Sequence, residues 1–153
     1  MKVLMVCLGN ICRSPMAEGV FRNKALEKGI ELSVDSCGTA NYHVGEHPDP
    51  RSVKKSKEHG IDISNLIGRQ FSYSDFRKFD VILTMDQDNY RNVIALAKNE
   101  DDIAKVKMTL NYSYPGNNMD VPDPWYGGEQ GFEDVFQLLD QAAIAFFKNH
   151  FNE

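Results

Sequence analysis

Lys2-Val3-Leu4-Met5-Val6-Cys7-Leu8-Gly9-Asn10-Ile11-Cys12-Arg13-Ser14-Pro15 passes from a short apolar run through a polar turn into a helical pattern. A strand over Lys2 to Val6 followed by a helix from about Pro15 leaves a loop whose backbone N–H groups converge on a helix N-terminus. Such a loop traps phosphate: the helix dipole adds partial positive charge, and Arg13 supplies a planar fork of donors matched to phosphate oxygens. The same field favours the thiolate form of a cysteine at its floor, which makes Cys7 the candidate nucleophile. Gly9 suits a curl where a Cβ would clash, and Asn10 tolerates a left-handed backbone while its amide can brace the loop. Ser14 can donate its hydroxyl to the Cys7 sulfur. Pro15 suits the first helical position, where a missing N–H costs nothing.

Taken singly, Cys7 reads as a small buried hydrophobe at a strand end. The C-x5-R spacing adds little, because arginine is common enough for it to arise by chance among three cysteines. Context carries the reading: strand before, helix after, glycine and asparagine inside, serine and proline directly behind. Neither Cys12 nor Cys37 has an arginine six residues on.

The chain has 153 residues, 42% of them hydrophobic, which fits one domain over residues 1–153 with a core of its own. A net charge of −5 speaks against nucleic acid or a membrane surface as partner, so anion capture must rest on a local field. Three cysteines, an odd number, do not suggest a disulfide framework and fit a reducing, cytoplasmic setting. The apolar run after Lys2 is too short for a signal peptide, and no stretch is long enough to span a membrane.

Short β-rich runs alternate with helical patterns, the signature of an α/β fold with a parallel sheet covered on both faces. Strands are expected at Lys2–Val6, Leu32–Ser36, Asp80–Thr84 and Val106–Leu110. Helices are expected at Pro15–Lys28, Pro50–His59, Gln87–Lys98 and Phe132–Asn149, the first two closed by Gly29 and Gly60. The last is the clearest, with Phe132, Val135, Phe136, Leu139, Ala142, Ala143, Phe146 and Phe147 at three-and-four spacing; these are core positions. In a doubly wound sheet ligands bind beyond the carboxyl ends of the strands, where Cys7 lies. The polar loops Gly38–Asp49 and Asn111–Gly131 both follow strands and can both reach it.

Expelling an alkoxide or phenolate from phosphate requires a proton, and Asp120-Val121-Pro122-Asp123-Pro124-Trp125-Tyr126-Gly127 offers the donor. Asp123 is the candidate: prolines on both sides stiffen its backbone, and aromatic neighbours with a bound phosphate favour its protonated form. By itself an aspartate before proline is usually a turn residue; beside a phosphate loop the catalytic reading prevails. Tyr42, Trp125 and Tyr126 either pin their loops or line a slot for a flat ring. Cys12 either packs inward at the helix start or pairs reversibly with Cys7, shielding it from overoxidation. Cys37 reads as buried and inert, and His43, His47, His59 and His150 lack metal-site spacing.

These residues resemble the low-molecular-weight protein tyrosine phosphatases. Cys7 to Pro15 matches the family signature and Asp123 to Gly127 its general-acid loop. Val34-Asp35-Ser36, Pro48-Asp49-Pro50-Arg51, His59-Gly60-Ile61, Arg69-Gln70 and Met85-Asp86 fall between in family order. The resemblance implies a doubly wound, four-stranded parallel sheet, hydrolysis of phosphotyrosine through a phosphocysteine, no metal and no cofactor. It implies Cys7 as nucleophile, Arg13 as ligand of phosphate and transition state, and Asp123 as acid and then base. Leu8, Gly9, Asn10, Ile11, Cys12, Arg13 and Ser14 would form the phosphate loop, with Asn10, Ser14 and Ser36 supporting it. Leu8, Ile11, Tyr42, Trp125 and Tyr126 would form the substrate wall, and phosphate or other oxyanions would inhibit. One departure stands out: many members have a histidine after a serine just before the Arg69-Gln70 pair, where Ser64 is here followed by Asn65.

Three other functions share parts of this pattern. A thioredoxin-coupled arsenate reductase needs two further relay cysteines, and only Cys37 lies outside the loop. Protein-arginine phosphatases resemble this chain but have threonine in place of Ile11, and Ile11 with Trp125 and Tyr126 favours a phenyl ring. A non-catalytic phosphate-recognition module needs neither Cys7 nor Asp123.

Overall fold

Four parallel strands form the sheet in the computed structural model, which describes residues 1–153. They are β1 (Lys2–Cys7), β2 (Ser33–Gly38), β3 (Val81–Thr84) and β4 (Val106–Met108), in the spatial order β2-β1-β3-β4. Between and after them lie α1 (Arg13–Lys28), α2 (Pro50–Glu58), α3 (Asp75–Lys78), α4 (Gln87–Ile94), α5 (Glu100–Lys105) and α6 (Gly128–Phe151). The doubly wound, four-stranded α/β architecture expected from the sequence is the one found.

Strand period decides which helices cover which face. Val3 and Met5 of β1 with Val81 and Leu83 of β3 join α1 and α6 in one core of 25 buried residues, which contains all eight apolar residues expected along α6. Leu4, Val6 and Ile82 point the other way, into a smaller core with Phe76 of α3 and Val93 of α4. The chain leaves β1 for β2 on one side and reaches β3 on the other, so the carboxyl end of β1 is the switch point of the sheet. Cys7, the last residue of β1, stands there opposite Gly38. A Cβ on Gly38 would lie 2.6 Å from the Leu8 carbonyl oxygen, so only glycine lets β2 end this close to the loop.

Several boundaries differ from expectation. Helix α1 begins at Arg13 rather than Pro15, which is therefore its third residue but still lies in the first turn, where its missing N–H costs nothing. The Gln87–Lys98 helix stops at Ile94 because Asn99 caps a new helix, α5, by accepting from the Asp102 N–H at 2.8 Å. Strand β4 ends at Met108 in a short 3-10 turn, and α6 begins four residues before Phe132. No helix is long and apolar enough to cross a membrane.

Candidate active site

Cys7 is 3% exposed, and its sulfur receives the Asn10 backbone N–H at 3.2 Å and lies 3.0 Å from the Ser14 hydroxyl. Asn10 makes this possible with a left-handed backbone, φ 59°, as expected for an asparagine in the curl. Gly9 is crowded at its missing Cβ, as expected of this position. The backbone inversion falls on Asn10, whereas a Cβ on Gly9 would meet the His43 ring at 3.1 Å.

The Asn10 amide is the hub of a buried network. Its Nδ2 donates to Ser14 Oγ at 2.8 Å and Ser36 Oγ at 3.0 Å, and its Oδ1 accepts from the Arg69 backbone N–H at 3.1 Å. Ser36 donates onward to Glu18 at 2.7 Å, and Glu18 is paired with Arg22, which also donates to the Val34 carbonyl at 3.0 Å. Burial pushes the Glu18 carboxyl above the ordinary glutamate range, partly offset by its bonds from Ser36 and Arg22. Glu18 was not singled out from the sequence, yet a signal existed: Ser14, Glu18 and Arg22 follow one another at four-residue spacing along one stripe of α1. Asn65 takes no part in this network and is exposed; the network's outer members are Arg69 and Glu18.

Arg13 is 5% exposed and donates through Nη1 to Asp86 at 2.7 Å and to the Val121 carbonyl at 3.0 Å. Desolvation works against its charge, but Cys7 and Asp86 outweigh it and hold the guanidinium firmly protonated. Asp86 serves two structures, because its other carboxylate oxygen caps α4 by accepting from the Asn89 N–H at 2.7 Å. The plane of the Arg13 guanidinium is thereby fixed by partners within the protein.

Cys7, Leu8, Gly9, Ile11, Cys12, Arg13, Tyr42, His43, Asp123 and Trp125 line one cavity of about 220 Å³. The two polar loops expected to reach Cys7 both do so, through Tyr42 with His43 and through Asp123 with Trp125. Tyr126 does not line the cavity; it is 96% exposed and points into solvent. Cys12 shares the cavity but is not a second thiolate there, since burial and the nearby Asp49 carboxylate push its thiol up to about 12. Cys37 is fully buried with its thiol held protonated by desolvation, and its carbonyl lies 3.3 Å from the Ser14 hydroxyl, an alternative acceptor for the one proton that Ser14 can turn to the Cys7 sulfur. A larger cavity of about 700 Å³ beside β4 contains neither cysteine nor carboxylate, and size alone is a poor guide to the site. No cluster of three or more His, Cys, Asp or Glu side chains has the geometry to hold a metal.

Residues 2–153 match the family of low molecular weight phosphotyrosine protein phosphatases, and the chain belongs to that family of cysteine-dependent hydrolases. A low molecular weight phosphotyrosine protein phosphatase of Schizosaccharomyces pombe is 48% identical over 143 residues, which cover 91% of this chain and 90% of that protein. The crystal structure of a protein tyrosine phosphatase from Entamoeba histolytica, with Hepes in its active site, superposes with a TM-score of 0.90 at 38% identity, covering 96% of this chain and 94% of that one. A Drosophila arginine phosphatase superposes with a TM-score of 0.91 at 30% identity, covering 99% and 98% of the two chains. The fold is thus common to enzymes named for different phosphorylated groups.

Proposed function

We propose that the 153 residues act as one catalytic domain that hydrolyses phosphotyrosine in proteins through a phosphocysteine on Cys7. The observation that carries this reading is a buried sulfur held by an N–H and a hydroxyl at the floor of a cavity that also contains Arg13 and Asp123. In the first step the Cys7 thiolate attacks phosphorus, the bond from phosphorus to the phenolic oxygen breaks, and the protonated Asp123 gives its proton to the leaving phenolate. Arg13 and the loop amides hold the equatorial oxygens through the transition state. In the second step the Asp123 carboxylate takes a proton from water as the water oxygen attacks phosphorus. The S–P bond breaks, phosphate leaves, and Ser14 donates to the returning thiolate.

Leu8, Ile11, Tyr42 and Trp125 give the cavity an apolar and aromatic wall suited to a phenyl ring. Its positive floor predicts inhibition by phosphate and other oxyanions. Three free thiols suit a reducing, cytoplasmic location, with Cys12 available as a reversible partner for an oxidised Cys7. The test is a comparison of phosphotyrosine and phosphoarginine peptides without added metal. Phosphotyrosine turnover is expected to dominate, with Cys7→Ser inactive. Faster phosphoarginine turnover would reject the substrate, and an active Cys7→Ser would reject the mechanism.

A further inference from the structure

We propose that Arg51 is a positioning residue that locks the acid-bearing loop onto the phosphate loop, an inference that rests on Asp123 being the leaving-group acid. The first turn of α2 is fixed to the back of the phosphate loop by two bonds. The Asp49 N–H donates to the Ile11 carbonyl at 2.8 Å, and the Ser52 hydroxyl donates to the Cys12 carbonyl at 3.0 Å.

From that turn Arg51 reaches across the cleft. Its Nε and Nη2 are held by the two carboxylate oxygens of Asp49, at 3.0 and 2.9 Å, which fixes the plane of the guanidinium. The remaining nitrogen, Nη1, donates to the Trp125 carbonyl at 2.9 Å, and the guanidinium carbon lies 4.7 Å from the Trp125 ring centre and 5.1 Å from that of Phe132. Trp125 passes the constraint on, since its own N–H donates to Asp123 Oδ1 at 3.1 Å. A continuous path therefore runs from the phosphate loop through Asp49, Arg51 and Trp125 to the acid. Asp123, Trp125 and Tyr126 are all exposed, so burial fixes the acid only through its neighbours Val121 and Pro124. Lysine would keep the charge but could not hold Asp49, the carbonyl and the indole together.

The experiment measures kcat/KM for phosphotyrosine, whose leaving group needs a proton, and for 2,4-dinitrophenyl phosphate, whose leaving group does not. Wild type, Arg51→Ala, Arg51→Lys, Asp123→Ala and the double alanine variant are compared. Arg51→Ala is expected to lose about tenfold on phosphotyrosine and less than about twofold on the dinitrophenyl ester, with Arg51→Lys failing to restore the difference. In the Asp123→Ala background the same Arg51 change should cost less than about twofold on either substrate, because its route of action is gone. Equal losses on both esters, full rescue by lysine, or additive losses in the double variant would each overturn the role of Arg51. An Asp123→Ala variant that loses equally on both esters would instead remove the acid assignment itself, so the two failures are told apart. Arg51 is exposed, and each variant's melting temperature shows that a loss is not one of folding.

Discussion

The loop proposed to bind phosphate and the loop proposed to carry the acid line the same cavity but are held in place by different means. Around Cys7, Asn10, Arg13 and Ser14 are each 5% exposed or less, and their polar groups are joined in networks that reach Ser36, Glu18, Arg69 and Asp86. The segment from Pro122 to Gly128 is mostly exposed and is held at few points: Arg51 on the Trp125 carbonyl, the buried Pro124, and at its start Val121, whose N–H donates to the Met85 carbonyl at 2.7 Å and whose carbonyl accepts from Arg13. The contrast follows from what each loop must do. Stabilising charge on phosphoryl oxygens calls for donors fixed beforehand in a dry site, whereas an acid that must reach varied leaving groups, and later water, belongs on a tethered surface loop.

The most damaging challenge to this contrast is Asp86→Ala. It leaves a buried arginine without its carboxylate and α4 without its cap, and is expected to cost about 3–5 kcal/mol in urea unfolding. Catalysis should fall by similar factors on good and poor leaving groups, because the damage lies in the phosphate loop. Asn10→Ala comes next. Alanine is strained at φ 59°, and Ser14, Ser36 and the Arg69 N–H lose their partner, for an expected loss of about 3 kcal/mol and again no leaving-group selectivity. A selective loss in either variant would mean that the two loops do not work separately.

The smallest effects are pH-dependent and have opposite signs for a carboxylate buried behind the phosphate loop and one at the α2–α6 surface. Glu18, behind the phosphate loop, has its folded value raised by burial, so its contribution to stability is present below the ordinary glutamate value of 4.5 and is lost as pH rises through the raised value. Glu133, on α6 where it faces α2, is held down to about 2 by hydrogen bonds from Gln137 and His59. Its contribution is present above 4.5 and is lost as pH falls toward 2. Melting temperatures across pH should therefore show Glu18→Gln gaining on wild type from acid to neutral pH. Glu133→Gln should lose ground at neutral pH and recover it in acid, by less than about 1 kcal/mol for so exposed a pair. Parallel profiles for the two variants would erase the distinction between buried and surface support.

The order of strands and helices could be read from hydrophobic period and glycine stops, since β1, α1 and α6 carry strong local patterns. Helices α3 and α5 could not, because four and six residues are too short for a period to emerge. Among site residues, Cys7, Arg13 and Asp123 stood out because their neighbours in sequence are also their neighbours in function. Asp86 and Arg51 act on groups tens of positions away, and no local pattern assigned them a role, whereas Glu18 had only the four-residue spacing from Ser14 and Arg22 to mark it.

The amino-acid order alone determined a strand, a phosphate-binding turn and a helix, with a cysteine and an arginine at set positions, because turn chemistry and helix dipoles act over a few residues. Only the packed molecule decided that Cys7 receives hydrogen bonds while Cys12 is buried beside Asp49, that Tyr126 faces solvent while Trp125 faces the cavity, and that Glu18 rather than Asn65 completes the support of Asn10. Burial and long-range hydrogen bonding set those differences, and both come into being only when distant segments close on one another.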